Sequence, residues 1–129
     1  MTITQLIYTS QPFGFDDAML NGILVQARRN NPALDITGCL ICRNDLYLQL
    51  LEGPAEAVTA MYERIKADDR HLAVVQLSRE LVATRMFPDW AMRDDPAQSW
   101  LWPPEAVANG ALFQASPDAL RAVFARVGG

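Results

Sequence analysis

The chain has 129 residues, half of them hydrophobic and one fifth charged, which fits one folded domain and excludes a disordered or fibrous segment. Lys and Arg number 11 against 15 Asp and Glu, a net charge of −4, so the basic footprint that grips nucleic acid is absent. No apolar run approaches the roughly 20 residues a bilayer span needs, and Met1–Gln5 lacks the positive start of a signal peptide. A cytoplasmic protein without a membrane partner is the expectation.

Residues 2–10 read as a strand that ends in the turn Ser10-Gln11-Pro12-Phe13-Gly14. Asp16 offers an N-cap for a helix to about Arg29, with Leu20, Ile23, Leu24 and Ala27 on its buried stripe. Pro32 ends that helix, because the residue before proline avoids the α region. Strands over 36–42 and 46–52 flank Arg43-Asn44-Asp45, a polar turn suited to a hairpin. Pro54 opens a second helix, where Val58, Met61, Tyr62 and Ile65 repeat the amphipathic spacing up to the charged stop Lys66–His71. Strands over about 73–82 and 89–93 follow. Helices are predicted over Pro104–Leu112 and Pro117–Val127, the latter with Leu120, Val123, Phe124 and Val127 in register.

This order predicts an α+β fold, a ferredoxin-like βαββαββ sandwich with both helices on one sheet face. Leu46-Tyr47-Leu48-Gln49-Leu50-Leu51 is apolar on both parities, as in a central strand covered on both sides. The C-terminal helices, reached through Trp100 and Trp102, are expected to cap the second face or to bury it in a subunit interface.

Cys39 and Cys42 form a C-x-x-C pair, but on a strand they point to opposite faces about 10 Å apart. A disulfide needs Cα atoms within about 7 Å. With one histidine and no second cysteine pair, a metal site is not expected either. Two structural thiols are the reading.

The informative residues are polar or aromatic ones that break the pattern. Gln49 sits in the most hydrophobic strand, and an amide buried without partners costs about 1–3 kcal/mol, so a buried Gln49 is expected to have partners. Tyr8 lies late in the first strand, Asn30 and Asn31 close the first helix, and Trp90 and Met92 alternate on the last strand. Each has a plain structural explanation when taken singly: a core tyrosine, a backbone-bonded glutamine, a helix C-terminus, core packing. Asp68-Asp69-Arg70-His71 is, on the same terms, a solvated helix exit.

In combination these pieces resemble the BLUF domain, a blue-light receptor that uses flavin. The resemblance is carried from about Leu6 to Met92 by Leu6-Ile7-Tyr8-Thr9-Ser10, Arg29-Asn30-Asn31-Pro32 with Ile36-Thr37-Gly38, and Tyr47-Leu48-Gln49 with Leu51-Glu52-Gly53. It continues through Tyr62-Glu63-Arg64-Ile65, Asp68-Asp69-Arg70-His71 and Arg85-Met86-Phe87-Pro88-Asp89-Trp90-Ala91-Met92. The family's ferredoxin-like fold agrees with the element order.

The resemblance implies a flavin, FAD or FMN, between the two helices, with Ile23 and Ile65 on its faces. It implies that Asn30, Asn31 and Arg64 meet the ring's polar edge, Asp68 the ribityl hydroxyls, and Arg70 and His71 the phosphate. Tyr8 is then the light-driven donor of an electron and a proton. Gln49 is the amide whose reversal or tautomerisation strengthens hydrogen bonding to the flavin C4 carbonyl, without a covalent adduct. Glutamate would not serve there, because an ionised carboxylate accepts but does not donate. Trp90 and Met92 are the implied readout. Tyr47 departs from the pattern, since the family usually has phenylalanine two residues before the glutamine.

The implied arrangement is a photosensor domain over 1–95 and a capping or oligomerising helical extension over 96–129. It acts through a homo-oligomer, a dimer or larger, or through a separate protein partner. Catalysis is not expected, since one His without a partnered nucleophile makes no triad. The competing reading is a flavin-free, small-ligand-sensing module on the same fold. An acylphosphatase-like hydrolase is disfavoured, because Gln11-Pro12-Phe13-Gly14 offers no arginine to cradle phosphate.

Overall fold

Eight successive residues, Leu46–Gly53, are all buried and form β3 at the centre of the sheet. The computed structural model describes residues 3–12, 22, 25, 28, 29, 32–43, 46–67, 71–87, 93–96 and 104–128, with backbone alone at 12, 42–43, 71–72, 93–96, 104 and 126–128. Strands β1 (Ile3–Pro12) and β2 (Thr37–Arg43) flank β3, and both run antiparallel to it. Strand β4 (His71–Val82) pairs antiparallel with the outer side of β1, and β5 (Arg93–Pro96) lies parallel on β2. The resulting order is β4-β1-β3-β2-β5. The α+β, ferredoxin-like arrangement predicted from the element order is present.

Alternation sorts the two faces. Leu6, Tyr8, Leu40, Tyr47 and Leu51 share one core with Ile36 and with Val58 and Tyr62 of α1 (Ala55–Lys66). Met61 and Ile65 pack against that core as well, completing the predicted stripe at 58, 61, 62 and 65. Pro54 is extended, and its carbonyl accepts the first helical bond from Val58 N at 2.9 Å. Glu56 lies in the first turn of α1 and Arg64 and Lys66 in the last, signs that complement the helix dipole.

The second face carries Ile7, Cys39, Ile41, Leu46, Leu48 and Leu50. It is covered by Phe87, by Leu112 of α3 (Ala111–Gln114), and by Leu120, Val123 and Phe124 of α4 (Pro117–Gly128). The C-terminal segment therefore supplies the cap that the double-sided β3 requires. Arg121 also ties α4 to β4 through Glu80 at 2.6 Å, and bonds Asp118 within its own helix. Partial exposure makes that ion pair a minor contributor, and the apolar contacts dominate. Because Phe124 is fully buried, Phe124→Ala is expected to lower the unfolding free energy by about 3–5 kcal/mol in urea. A change within about 0.5 kcal/mol would show that α4 is not part of the core.

Several local expectations need correction. The predicted helix over Pro104–Leu112 is two pieces, α2 (Pro104–Ala108) and α3, because Gly110 adopts φ 89 between them. That left-handed conformation suits glycine and ends a helix. The described part of the last strand is Arg93–Pro96; of the predicted 89–93 only Arg93 is among the described residues, and it is in that strand. Pro32–Leu34 is a 3-10 turn, closed by Asp35 N to Pro32 O at 3.2 Å with Asp35 at φ 57. Of the predicted first helix, Gly22, Val25, Arg28 and Arg29 are described; they are helical and exposed, and its predicted apolar stripe lies outside the described residues.

Cys39 is buried in the second core, opposite Leu50. Cys42 pairs in register with Tyr47, whose side chain belongs to the other core. Gly38 is needed where β2 meets β3, since a Cβ there would overlap the Leu50 carbonyl.

Candidate functional site

Antiparallel pairing sets Tyr8 of β1 directly opposite Gln49 of β3. Side chains opposite one another in such a pair have Cβ atoms about 4.5–5.5 Å apart, so the two polar ends can meet. They do: the Tyr8 hydroxyl donates to Gln49 Oε1. Tyr8 is 0% and Gln49 3% exposed, so this bond sits in low-dielectric surroundings where losing either partner is costly. Leu40 faces Gln49 from β2, and Leu6 and Leu51 lie beside the pair on the same face.

Helix α1 closes over the phenol. The Tyr62 ring lies 5.6 Å from the Tyr8 ring, centroid to centroid, tilted by 53°. Burial pushes the Tyr62 hydroxyl above its usual pKa, against the lowering effect of Lys66; Glu63 raises it further, and a hydrogen bond with the Gln76 backbone lowers it. Tyr62 is therefore a neutral phenol at physiological pH. Lys66 Nζ sits 5.1 Å from the Tyr62 ring centroid, and the hydrogen bond to Glu63, 2.8 Å away, is the main cause that raises its pKa above the usual lysine value. On the other side of the pair, Thr9 Oγ1 donates to the Tyr47 carbonyl at 2.9 Å, fixing β1 against β3.

The structure thus brings together Tyr8, Gln49 and Ile65, the last half-buried against the Tyr8 core. Arg64 is exposed on α1, and His71 opens β4 opposite Pro12. Ile23, Asn30, Asn31, Asp68, Arg70, Trp90 and Met92 lie outside the described residues. Among the described residues no cluster of His, Cys, Asp or Glu suits a metal ion, and no helix is long and apolar enough to cross a membrane.

Two residues of this neighbourhood escaped the sequence reading. The stripe of α1 marks Tyr62 as buried, but nothing local says that it faces Tyr8. Glu52 shares the parity of Leu48 and Leu50, and a charged side chain in register with an apolar face was the available signal.

The donor set fits a flavin. A fused aromatic ring with carbonyls and N–H groups along one edge needs an apolar slot and a group that both donates and accepts. The side chains packed in the core around the pair, Leu6, Leu40, Leu51, Met61 and Ile65, are apolar, and the two-ended group is the Gln49 amide, already engaged at its oxygen by Tyr8.

Comparison with known proteins agrees with this chemistry. The family model "BLUF: Sensors of blue-light using FAD" matches residues 3–93. The chain is 38% identical over 95 residues to the photoactivated adenylate cyclase subunit beta of Euglena longa, covering 70% of this chain and 11% of that subunit. It is 39% identical over 61 residues to the blue light- and temperature-regulated antirepressor BluF of Escherichia coli (strain K12), covering 47% of this chain and 15% of that protein. The dark-state structure of BlrB, a BLUF protein, superposes with a TM-score of 0.77 at 26% identity, covering 97% of this chain and 96% of that one. The chain thus spans a small part of the two curated relatives and nearly the whole of BlrB. With the family match across most of its length, this chain belongs to the BLUF family of flavin-using blue-light sensors.

Proposed function

We propose that the chain senses blue light through the Tyr8–Gln49 pair and signals by repacking its sheet and C-terminal helices, without catalysing a reaction. The observation that carries this reading is the buried hydrogen bond from the Tyr8 hydroxyl to Gln49 Oε1. A bound flavin supplies the absorption of blue light and an excited ring able to take up an electron and a proton. Tyr8 is the donor of both, its Oη proton lying on the bond to Gln49. As the electron and proton return to Tyr8, the Gln49 amide settles with its ends exchanged or in its other tautomer. Donor and acceptor are then swapped at each end, and no bond to carbon is made or broken.

The remaining assignments complete that reading. Ile23 and Ile65 sandwich the ring, and Asn30, Asn31 and Arg64 meet its polar edge. Asp68 meets the ribityl chain, and Arg70 and His71 meet the phosphate. FAD is the proposed cofactor, in keeping with the family description, with FMN as the variant that shares the ring. Trp90 and Met92 respond to Gln49, within a sensor region over 1–95 followed by the helical extension 96–129. The output is a change in a homo-oligomer or in a separate protein partner, in the cytoplasm. A partner reading is supported by the E. coli relative, which is called an antirepressor.

Visible spectra of the flavin-loaded protein test this reading. The expected result is a small red shift under blue light that reverses in darkness. A flavin that only bleaches would refute the switch, and a protein that takes up neither FAD nor FMN would favour the ligand-sensing module instead. Tyr47 shares the sheet face of Tyr8 and is equally buried, so it is the competing electron donor. Tyr47→Phe is expected to keep the red shift at wild-type amplitude in the same spectra.

A further inference from the structure

Glu52 is 0% exposed and lies on β3 three residues beyond Gln49, so alternation turns it to the opposite face of the sheet. Three donors converge on its carboxylate. Gln5 Nε2 reaches Oε2 at 3.1 Å, the Met86 N–H reaches Oε2 at 2.7 Å, and the Phe87 N–H reaches Oε1 at 2.8 Å. Arg85 secures the same segment: its Nη1 donates to the Glu52 carbonyl at 3.0 Å and to Thr37 Oγ1 at 2.9 Å. Its Nη2 donates to the Asp35 carbonyl at 2.7 Å and pairs with the Asp35 carboxylate at 3.1 Å. Residues 85–87 are thereby stitched to the ends of β1, β2 and β3.

The segment leads into the cap. Phe87, held by its own N–H, belongs to the buried cluster that contains Leu112, Leu120, Val123 and Phe124. A continuous chain of described contacts therefore runs from the Gln49 strand through Glu52 and Phe87 to α4. A buried carboxylate is a poor stabiliser beside an apolar side chain of similar volume, because its desolvation offsets much of what its bonds return. What it provides is registry. An acceptor with two oxygens and three donors permits one placement of the 85–87 backbone.

We propose that Glu52 is a positioning residue of the light switch, transmitting movement of β3 at Gln49 through the Met86 and Phe87 amides to Phe87 and α4. The proposal rests on Gln49 being the switch. Glu52→Gln keeps the shape but offers one acceptor oxygen, and its N–H2 opposes an N–H donor.

Hydrogen exchange of the flavin-loaded protein, in darkness and under blue light beside the visible spectrum, tests it. In wild type, the Met86 and Phe87 amides are expected to be protected in darkness, and light is expected to change exchange across Pro117–Gly128. In Glu52→Gln the red shift is expected to survive. Its Met86 and Phe87 amides are expected to exchange about tenfold faster, and the light response of Pro117–Gly128 is expected to vanish. A variant that keeps the wild-type response in α4 would overturn the proposal. So would fast exchange at Met86 and Phe87 in dark wild type, a result that does not depend on the variant folding. Gln5→Leu, which leaves both backbone donors in place, is expected to weaken the α4 response, and an unchanged response counts against the proposal. A wild-type protein whose flavin shifts while α4 does not respond would sink the coupling alone. Absence of the red shift in wild type would instead refute the switch reading beneath it.

Discussion

Tyr8→Phe is expected to bind flavin and to show no red shift under blue light. The substitution removes one oxygen and its proton and leaves the ring in place against Tyr62, so packing on that face is retained. What disappears is the donor to Gln49 Oε1 and the readily oxidised phenol. The stability cost is about 1–3 kcal/mol, because Gln49 Oε1 loses this donor inside the core, while the photochemical loss is complete. Urea unfolding and light-minus-dark visible spectra on one sample separate the two effects. A switching Tyr8→Phe beside a dead Tyr47→Phe would reverse the roles of the two phenols.

Gln49→Leu is expected to be as inactive optically, and to cost the fold comparably. Leucine suits the strand, since Leu48, Leu50 and Leu51 around it are buried. The Tyr8 hydroxyl, however, loses its acceptor inside the core, and an unsatisfied buried polar group costs about 1–3 kcal/mol. The double variant Tyr8→Phe/Gln49→Leu removes both partners and is expected to recover much of that loss. The two costs are thus non-additive, as for residues sharing one bond. Additive losses in urea unfolding would show that the hydrogen bond does not form in solution. In light-minus-dark spectra neither the single nor the double variant should shift.

Local pattern made most of the scaffold legible. The strands β1 to β4, the stripe of α1 and the need for a cover on the second face all follow from period and burial, and packing rewards both directly. Gln49 stood out because an amide in a run of leucines demands a partner. Its partner, Tyr8, is 41 residues away, and only strand pairing makes them neighbours. Glu52 shows the limit more sharply, since Gln5 lies 47 residues before it and Met86 and Phe87 lie 34 and 35 after it. No window-based reading joins those groups. Strand β5, Arg93-Asp94-Asp95-Pro96, has no apolar alternation, and its pairing follows from the open edge of β2. The break at Gly110 was readable as a helix-ending glycine, but the apolar residues on either side masked it.

The central claim is that the Gln49 amide exchanges its donor and acceptor ends in the light while no covalent bond forms. The light-minus-dark infrared difference spectrum of the flavin-loaded protein, with glutamine side-chain amides isotopically labelled, tests it most directly. The expected result is a downshift of the flavin C4 carbonyl stretch, accompanied by a labelled amide band that moves, both reversing in darkness. An unmoved labelled band beside a shifted flavin spectrum would contradict it.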